Sequence, residues 1–144
     1  MSGRTVEVLL AEDNRGDVAL TRRALRDSKL MVNLHVVADG EEAMRFLRRQ
    51  GEHADAVRPD LILLDINMPL KNGLEVLAEI KQVPDLRAIP VCILTTSSSD
   101  GDIAAAYEHH ANAYITKPVD LSQFVEVVKA IESFWFTIVR LPEE

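Results

Sequence analysis

The sequence has almost no cysteine, few basic residues and no long apolar run. Its only cysteine, Cys92, excludes an intrachain disulfide and a cysteine-based zinc site. No apolar stretch approaches the roughly 20 residues of a membrane span, and residues 1–5 lack the apolar core of a signal peptide. The 16 basic residues are outnumbered by 23 acidic ones, and the net charge of -7 argues against a surface for nucleic acid or an anionic membrane. We therefore expect a cytoplasmic protein that binds neither.

The 144 residues correspond to one ordinary domain. They are 47% hydrophobic and 27% charged, which is enough apolar material for a packed core and excludes a disordered chain. Cys92 lies inside an apolar run, so we expect a buried and unreactive thiol.

The most informative stretch is Leu61–Asp65, where four apolar residues run straight into an aspartate. The apolar run does not alternate with polar residues, which predicts a strand buried on both faces. Pro69 ends the stretch, and Asn72 and Gly73 supply a turn. Asp65 is thus expected where a central strand opens into a loop, the position at which open α/β sheets bind ligands.

Short apolar runs and helical patterns alternate along the rest of the chain. The predicted strands are Val6–Ala11, Asn33–Ala38, Leu61–Asp65, Val91–Thr95 and Ala113–Thr116. The predicted helices start after the caps Asn14 and Asp39, cover Gly73–Gln82 and Ile103–His110, and end with one that Asp120 caps. This alternation predicts an α/β fold, a doubly wound parallel sheet of five strands with five helices on its two faces.

Polar side chains follow the strands at one edge of this sheet. The first strand leads into Glu12 and Asp13, and the third ends in Asp65. In the flavodoxin-like strand order 2-1-3-4-5 these two strands are neighbours, so three carboxylates would share one crevice. Like charges this close repel unless a cation intervenes, and a hard divalent ion with oxygen ligands, Mg²⁺, is the natural one. With Thr95 and Lys117 from the fourth and fifth strands, the edge has the parts needed to hold a transferring phosphoryl group.

In this order, these motifs resemble the receiver domain of bacterial two-component response regulators. The matching segments are Glu12-Asp13, Asp65 to Pro69 with Asn72-Gly73, Thr95, Tyr114, and Lys117-Pro118. The resemblance implies one receiver domain over residues 1–144, with a core of about 6–131, an aromatic extension of 132–144 and no output domain. The extension also resembles that of regulators that partner phytochrome histidine kinases.

The resemblance implies a role for each matching residue. Asp65 would accept a phosphoryl group from a sensor histidine kinase, so the protein would be a signalling switch and not a dedicated enzyme. The metal ligands would be Glu12, through a bound water, Asp13, Asp65 and the backbone carbonyl of Asn67. Lys117 would pair with the phosphate, while Thr95 and Tyr114 would act as the switch pair. Output would then pass through protein contact or onward phosphotransfer.

The last predicted helix has more apolar residues than one core-facing side can hold. Phe134, Trp135 and Phe136 are consecutive, and successive helical residues point about 100° apart. Val127, Phe134 and Ile138 form a second apolar stripe. We expect this stripe, with the helix before the fifth strand, to form a homodimer surface.

Two other functions fit an α/β fold of this size. A phosphatase of the haloacid dehalogenase kind would need a second aspartate two residues after the nucleophile, where this chain has Asn67. A flavodoxin would need a phosphate-binding loop after the first strand, where Glu12 and Asp13 would repel phosphate. Among the histidines, His35 and His53 show no sequence pattern that would indicate a metal ligand or catalytic partner.

Overall fold

The computed structural model describes residues 5–26, 31–95 and 100–116. The strands in these ranges are β1 (Val6–Ala11), β2 (Val32–Val37), β3 (Leu61–Asp65), β4 (Val91–Thr95) and β5 (Ala113–Thr116). The α-helices are α1 (Arg15–Arg26), α2 (Gly40–Arg48), α3 (Gly73–Gln82) and α4 (Asp100–Glu108), and a 3-10 turn covers Gly51–His53. Each of these helices is too short to serve as a membrane span.

The strands form one parallel sheet in the order β2-β1-β3-β4-β5. This confirms the predicted flavodoxin-like α/β fold and places β3 between β1 and β4. Parallel neighbours put all their carboxyl ends at one edge, so the residues that follow β1 and β3 are close in space although about 50 positions separate them in the chain.

The β3 strand is buried along its whole length, as its unbroken apolar run predicts. Ile62 and Leu64 point into a core cluster with α2, α3 and α4, whereas Leu61 and Leu63 point into a second cluster with α1. Because both faces of the sheet are covered, no face of β3 has to be polar. The apolar-to-charged step at Asp65 therefore marks the end of the core.

Two helices begin at the predicted caps Asn14 and Asp39, and a third begins at Asn72, for which the sequence pattern indicates only a turn. The side chain of Asn14 accepts from Asp17 N at 3.0 Å, and that of Asp39 accepts from Glu42 N at 2.7 Å. Asn72 forms a complete capping box with the third residue of α3. These bonds satisfy backbone donors that have no partner inside the helix, and they set where each helix starts.

The predicted bounds of two elements, β2 and α4, were wrong. The β2 strand lies one residue earlier than predicted, since its pairing with β1 begins at Val32 and ends at Val37. The α4 helix runs from Asp100 to Glu108. It ends before His110, the predicted last residue, because His110 takes a left-handed φ of 70°. The fifth helix, its cap Asp120 and the aromatic extension lie outside the described residues.

Two glycines allow the backbone to pack tightly beside the end of β3. A Cβ at Gly73 would lie 2.3 Å from the carbonyl oxygen of Asp65, and one at Gly40 would lie 2.0 Å from that of Lys71. Both neighbours are backbone atoms, which cannot swing away as the end of a side chain can. The first turns of α2 and α3 therefore fix the loop between β3 and α3.

We expect Gly73→Ala to lower the free energy of unfolding by about 1–3 kcal/mol or more, the usual cost of overpacking. Gly101→Ala is the matched control. It lies in α4 with nothing within 4 Å of its Cβ, and helical alanine is favoured over glycine by roughly 0.5–1 kcal/mol. Urea unfolding of both variants measures the difference. Equal stability of the two would contradict the packing argument.

Candidate functional site

Three carboxylates meet at the carboxyl edge of the sheet. Oxygen atoms of Glu12, Asp13 and Asp65 all lie within 4.8 Å of one another. Glu12 and Asp65 are only 2% and 4% exposed, whereas Asp13 is exposed to solvent. The structure thus brings together the three acids that the strand positions predict. The chemical roles assigned to them stay predictions.

Glu12 and Asp13 are held by the transition from β1 to α1. The Glu12 N–H donates to the Val37 carbonyl at 2.9 Å, which continues the pairing of β1 with β2 beyond the last strand residue. One carboxylate oxygen of Glu12 accepts from the Asn14 N–H at 3.2 Å. Asn14 in turn caps α1, so the acidic turn and the helix start form a single hydrogen-bonded unit.

Asp65 is positioned by its neighbours on both sides. Its strand pairs with β1 up to Leu64 and with β4 at Asp65 itself, opposite Leu94. The N–H of Asn67 donates to a carboxylate oxygen of Asp65 at 3.3 Å. A carboxylate this buried needs such donors or a cation, because removing its charge from water is costly.

The loop after Asp65 is tightly bonded but carries local strain. The Ile66 carbonyl accepts from Met68 N at 3.1 Å and from Gly73 N at 3.0 Å. Leu70 has a φ of 69°, which is unfavourable for a branched side chain, and is 75% exposed. Strain and an exposed apolar side chain beside a polar site are features that functional loops often show. Leu70 was not recognised from the sequence, because its backbone angle has no signal in residue type.

A chain of charged side chains ties this loop to two helices. The ammonium of Lys71 bonds one oxygen of Glu79, and the guanidinium of Arg48 bonds the other at 2.8 Å. The hydrogen bond from Lys71, aided by Arg48, lowers the pKa of Glu79 although burial acts in the opposite direction. The contact joins the loop to α3 and α2.

The other predicted site residues lie on the loop after β3 and in the last two strands. Asn67 is exposed on the loop beside Asp65. Thr95 ends β4 opposite Thr116. Tyr114 is half-buried in β5 and packs against the core cluster with α2, α3 and α4. Lys117 lies outside the described residues.

A second cluster of residue types that can bind metals consists of Glu42, Glu52 and His53. These side chains form ion pairs within the protein. His53 bonds Glu42 at 3.0 Å, and Arg45 bonds Glu52 at 3.2 Å. His35 likewise bonds Glu7 at 2.8 Å, so both histidines have partners that no sequence pattern indicates. Their partners are distant in sequence, so the pairing leaves no local pattern.

The prediction for Cys92 is confirmed, because the thiol is buried and burial raises its pKa to about 12.

The cluster of Glu12, Asp13 and Asp65, the first carboxylate cluster, fits a hard divalent cation. Its donors are all carboxylate oxygens, which such ions prefer, and two of the three groups are buried where their mutual repulsion is poorly screened. A cation would offset that repulsion. The crevice also leaves Asp13 exposed, which gives a path from solvent.

The sequence profile of the response regulator receiver domain family matches residues 8–129. Among curated relatives, the response regulator Rcp1 of Synechocystis is 49% identical over 94% of this chain and 92% of its own. The probable methanogenesis regulatory protein FilR2 of Methanothrix harundinacea is 37% identical over 94% of this chain and 86% of its own.

Solved structures resemble the chain over nearly its whole length. The Mn²⁺-bound form of the response regulator Rcp1 is 48% identical with a TM-score of 0.78, covering 96% of this chain and 99% of that one. The phosphorylated cyanobacterial phytochrome response regulator RcpA is 48% identical with a TM-score of 0.80, covering 97% and 100%. The bacteriophytochrome response regulator AtBRR is 35% identical with a TM-score of 0.82, covering 99% and 100%.

We expect a divalent cation to stabilise the folded protein through the first carboxylate cluster. At 100 times its Kd, an ion that binds only the folded state adds about 2.7 kcal/mol to the free energy of unfolding. The measurement is the unfolding midpoint in EDTA and in rising Mg²⁺. Asp13→Asn should shift the titration to higher Mg²⁺, while Asp55→Asn, which removes an exposed carboxylate on a distant loop, should not. The same response in both variants would place the ion elsewhere.

Proposed function

Since the chain belongs to the response regulator receiver domain family, we propose that Asp65 is the residue that accepts the phosphoryl group. The protein is a phosphoacceptor of two-component signalling, and the proposal concerns which side chains perform the transfer. The observation that carries it is the position of Asp65: a 4% exposed carboxylate at the end of the central strand, within 4.8 Å of two other carboxylates. Within the described residues, these three carboxylates form the acidic cluster at the carboxyl edge of the sheet.

The reaction transfers phosphorus from nitrogen to oxygen. A carboxylate oxygen of Asp65 attacks the phosphorus of a phosphohistidine on the sensor kinase. The new P–O bond forms an acyl phosphate as the P–N bond breaks, and the leaving histidine keeps the electron pair and takes up a proton. Such a transfer asks the protein mainly for alignment and charge stabilisation.

The two neighbouring acids prepare Asp65 for this reaction. We assign Asp13, Asp65 and the Asn67 carbonyl as ligands of Mg²⁺, with Glu12 holding a metal-bound water. When bound, the ion supplies positive charge that offsets the negative oxygens of the transferring group. The Asn67 N–H, which donates to Asp65 at 3.3 Å, keeps one carboxylate oxygen oriented. Asp13 is exposed, so the crevice is open to solvent on that side.

We assign the response to phosphorylation to β4 and β5. The added group brings roughly two negative charges to the crevice. Lys117 would pair with it and Thr95 would bond its oxygens, while Tyr114 would turn inward. Thr95 ends β4 beside β3, and Tyr114 lies opposite Ile93 of β4, which supports coupling between these positions. Two conformations of these strand ends would then change in population.

We propose that the donor is a cytoplasmic sensor histidine kinase of the phytochrome type. The support is the similarity to RcpA, a cyanobacterial phytochrome response regulator, and to the bacteriophytochrome response regulator RtBRR, which is 39% identical. In this role the protein acts as an acceptor and relay rather than as a dedicated enzyme.

Incubation with acetyl phosphate and Mg²⁺ should add one phosphate to the wild-type protein. Asp65→Asn should abolish labelling at every Mg²⁺ concentration, because an amide oxygen is a poor nucleophile. Asp13→Asn should need more Mg²⁺ for the same rate, and Asp55→Asn should behave as wild type. Intact-protein mass spectrometry, with hydroxylamine to cleave acyl phosphates, measures this. Undiminished labelling of Asp65→Asn would refute the assignment.

We also propose a homodimer formed through α4, the last helix and the aromatic extension. The proposal rests on the second apolar stripe of the sequence, and Tyr107 on α4, which is 50% exposed, would lie at the contact. Sedimentation should show a dimer at micromolar concentration, and Tyr107→Ser should weaken it. Leu20→Ser is the control. Leu20 lies on α1, on the opposite face of the sheet from α4, and is about as exposed as Tyr107. A monomer at high micromolar concentration, with and without phosphorylation, would exclude the dimer.

A further inference from the structure

A cavity of about 740 Å³ lies at the edge of the sheet opposite the carboxylates. It is formed by the end of α2, the segment that enters β3, and the loop between α3 and β4. Its lining residues are Leu47, Arg48, Arg49, Gln50, Arg58, Pro59, Val83, Asp85 and Leu86. The volume is within the range of roughly 300–1,000 Å³ that small-molecule sites occupy.

The lining is positively charged in a protein that is otherwise acidic. Three arginines line the cavity against a single carboxylate, that of Asp85, while the whole chain carries a net charge of -7. Arg48 is paired with Glu79. Neither Arg49 nor Arg58 forms an ion pair with any residue in the described ranges, although Arg58 donates to the Asp85 carbonyl. Two guanidinium groups therefore retain donors for an anion.

The backbone holds Arg49 in an unusual conformation at this position. It follows the last residue of α2 with φ 56° and ψ 52°, and its N–H bonds the carbonyl groups of Arg45 and Phe46. Glycine is the common residue at such a helix end because it has no Cβ to clash. An arginine here supplies a guanidinium at the cavity at the expense of backbone strain.

Four of the other lining residues, Leu47, Pro59, Val83 and Leu86, are apolar. Leu47 and Leu86 are buried and Val83 is half-buried, so they form an apolar part beside the charged groups. A guanidinium fork binds phosphate through two parallel hydrogen bonds, and its flat face stacks on planar rings. The lining thus combines guanidinium donors with a smaller apolar part.

We propose that this cavity binds a phosphate monoester with a planar body, of the nucleoside monophosphate class. The phosphate would lie between Arg49 and Arg58, and the planar body would lie over Leu47, Val83 and Leu86. The site would use Gln50 and Arg58, the two ends of the loop between α2 and β3, which the phosphoacceptor chemistry does not use.

Adenosine monophosphate in EDTA is the first probe, because without divalent cations the carboxylate crevice repels phosphate. Calorimetry gives the Kd, and amide chemical shifts locate the site. Arg49→Gly with Arg58→Ser should weaken binding roughly tenfold or more, since charge-assisted hydrogen bonds are lost. The glycine suits the left-handed conformation, so the fold should be kept. Asp85→Asn should tighten binding by removing the opposing charge.

Arg87→Ser is the matched control. Arg87 is exposed on the same loop as Asp85 but does not line the cavity, so its loss should leave the Kd within about twofold once salt screens long-range charge. Inorganic phosphate, which is matched to the nucleotide in charge, should bind more weakly because it lacks a planar body. Equal binding of inorganic phosphate, an unchanged Kd in the double arginine variant, or capture of an acidic peptide without nucleotide binding would each overturn the proposal.

Discussion

The electrostatic repulsion among three carboxylates is the constraint on which the phosphoacceptor edge depends. Glu12, Asp13 and Asp65 lie within 4.8 Å of one another, and two of them are buried. Such a grouping is unfavourable by itself, and it becomes useful when positive charge enters. The fold stabilises the arrangement through the parallel pairing of β1 with β3 and through backbone donors such as the Asn67 N–H. A bound cation would offset this repulsion, and a phosphoryl group on Asp65 would add negative charge to the same crevice.

The loop after Asp65 connects this edge to the rest of the molecule. Gly73 and Gly40 allow the backbone of α3 and α2 to pack directly against it, and Lys71 links it to Glu79 and Arg48. Arg48 also lines the arginine-rich cavity at the far edge of the sheet. The two edges therefore carry opposite charge and share the helices α2 and α3. This polarity is invisible in the net charge of the whole chain.

Much of the fold and the acidic part of the site could be predicted from local signals. The unbroken apolar run before Asp65, the caps at Asn14 and Asp39, and the alternation of strands with helices are all short-range features. They depend on burial, helix-end hydrogen bonding and sheet topology, which act over a few residues. The errors at β2 and α4 are boundary errors. Strand ends are set by the partner strand, and α4 ends at a left-handed residue that sequence pattern does not reveal.

The sequence by itself determined which residues end the strands and hence which acids could meet at one edge. Only the tertiary structure decided the pairs that join distant segments, such as His35 with Glu7 and Arg48 with Glu79. It also decided the left-handed conformation of Leu70 and the gathering of arginines at the opposite edge. The physical reason is that hydrogen bonds and ion pairs between segments depend on distances that packing sets, and packing is a property of the whole chain.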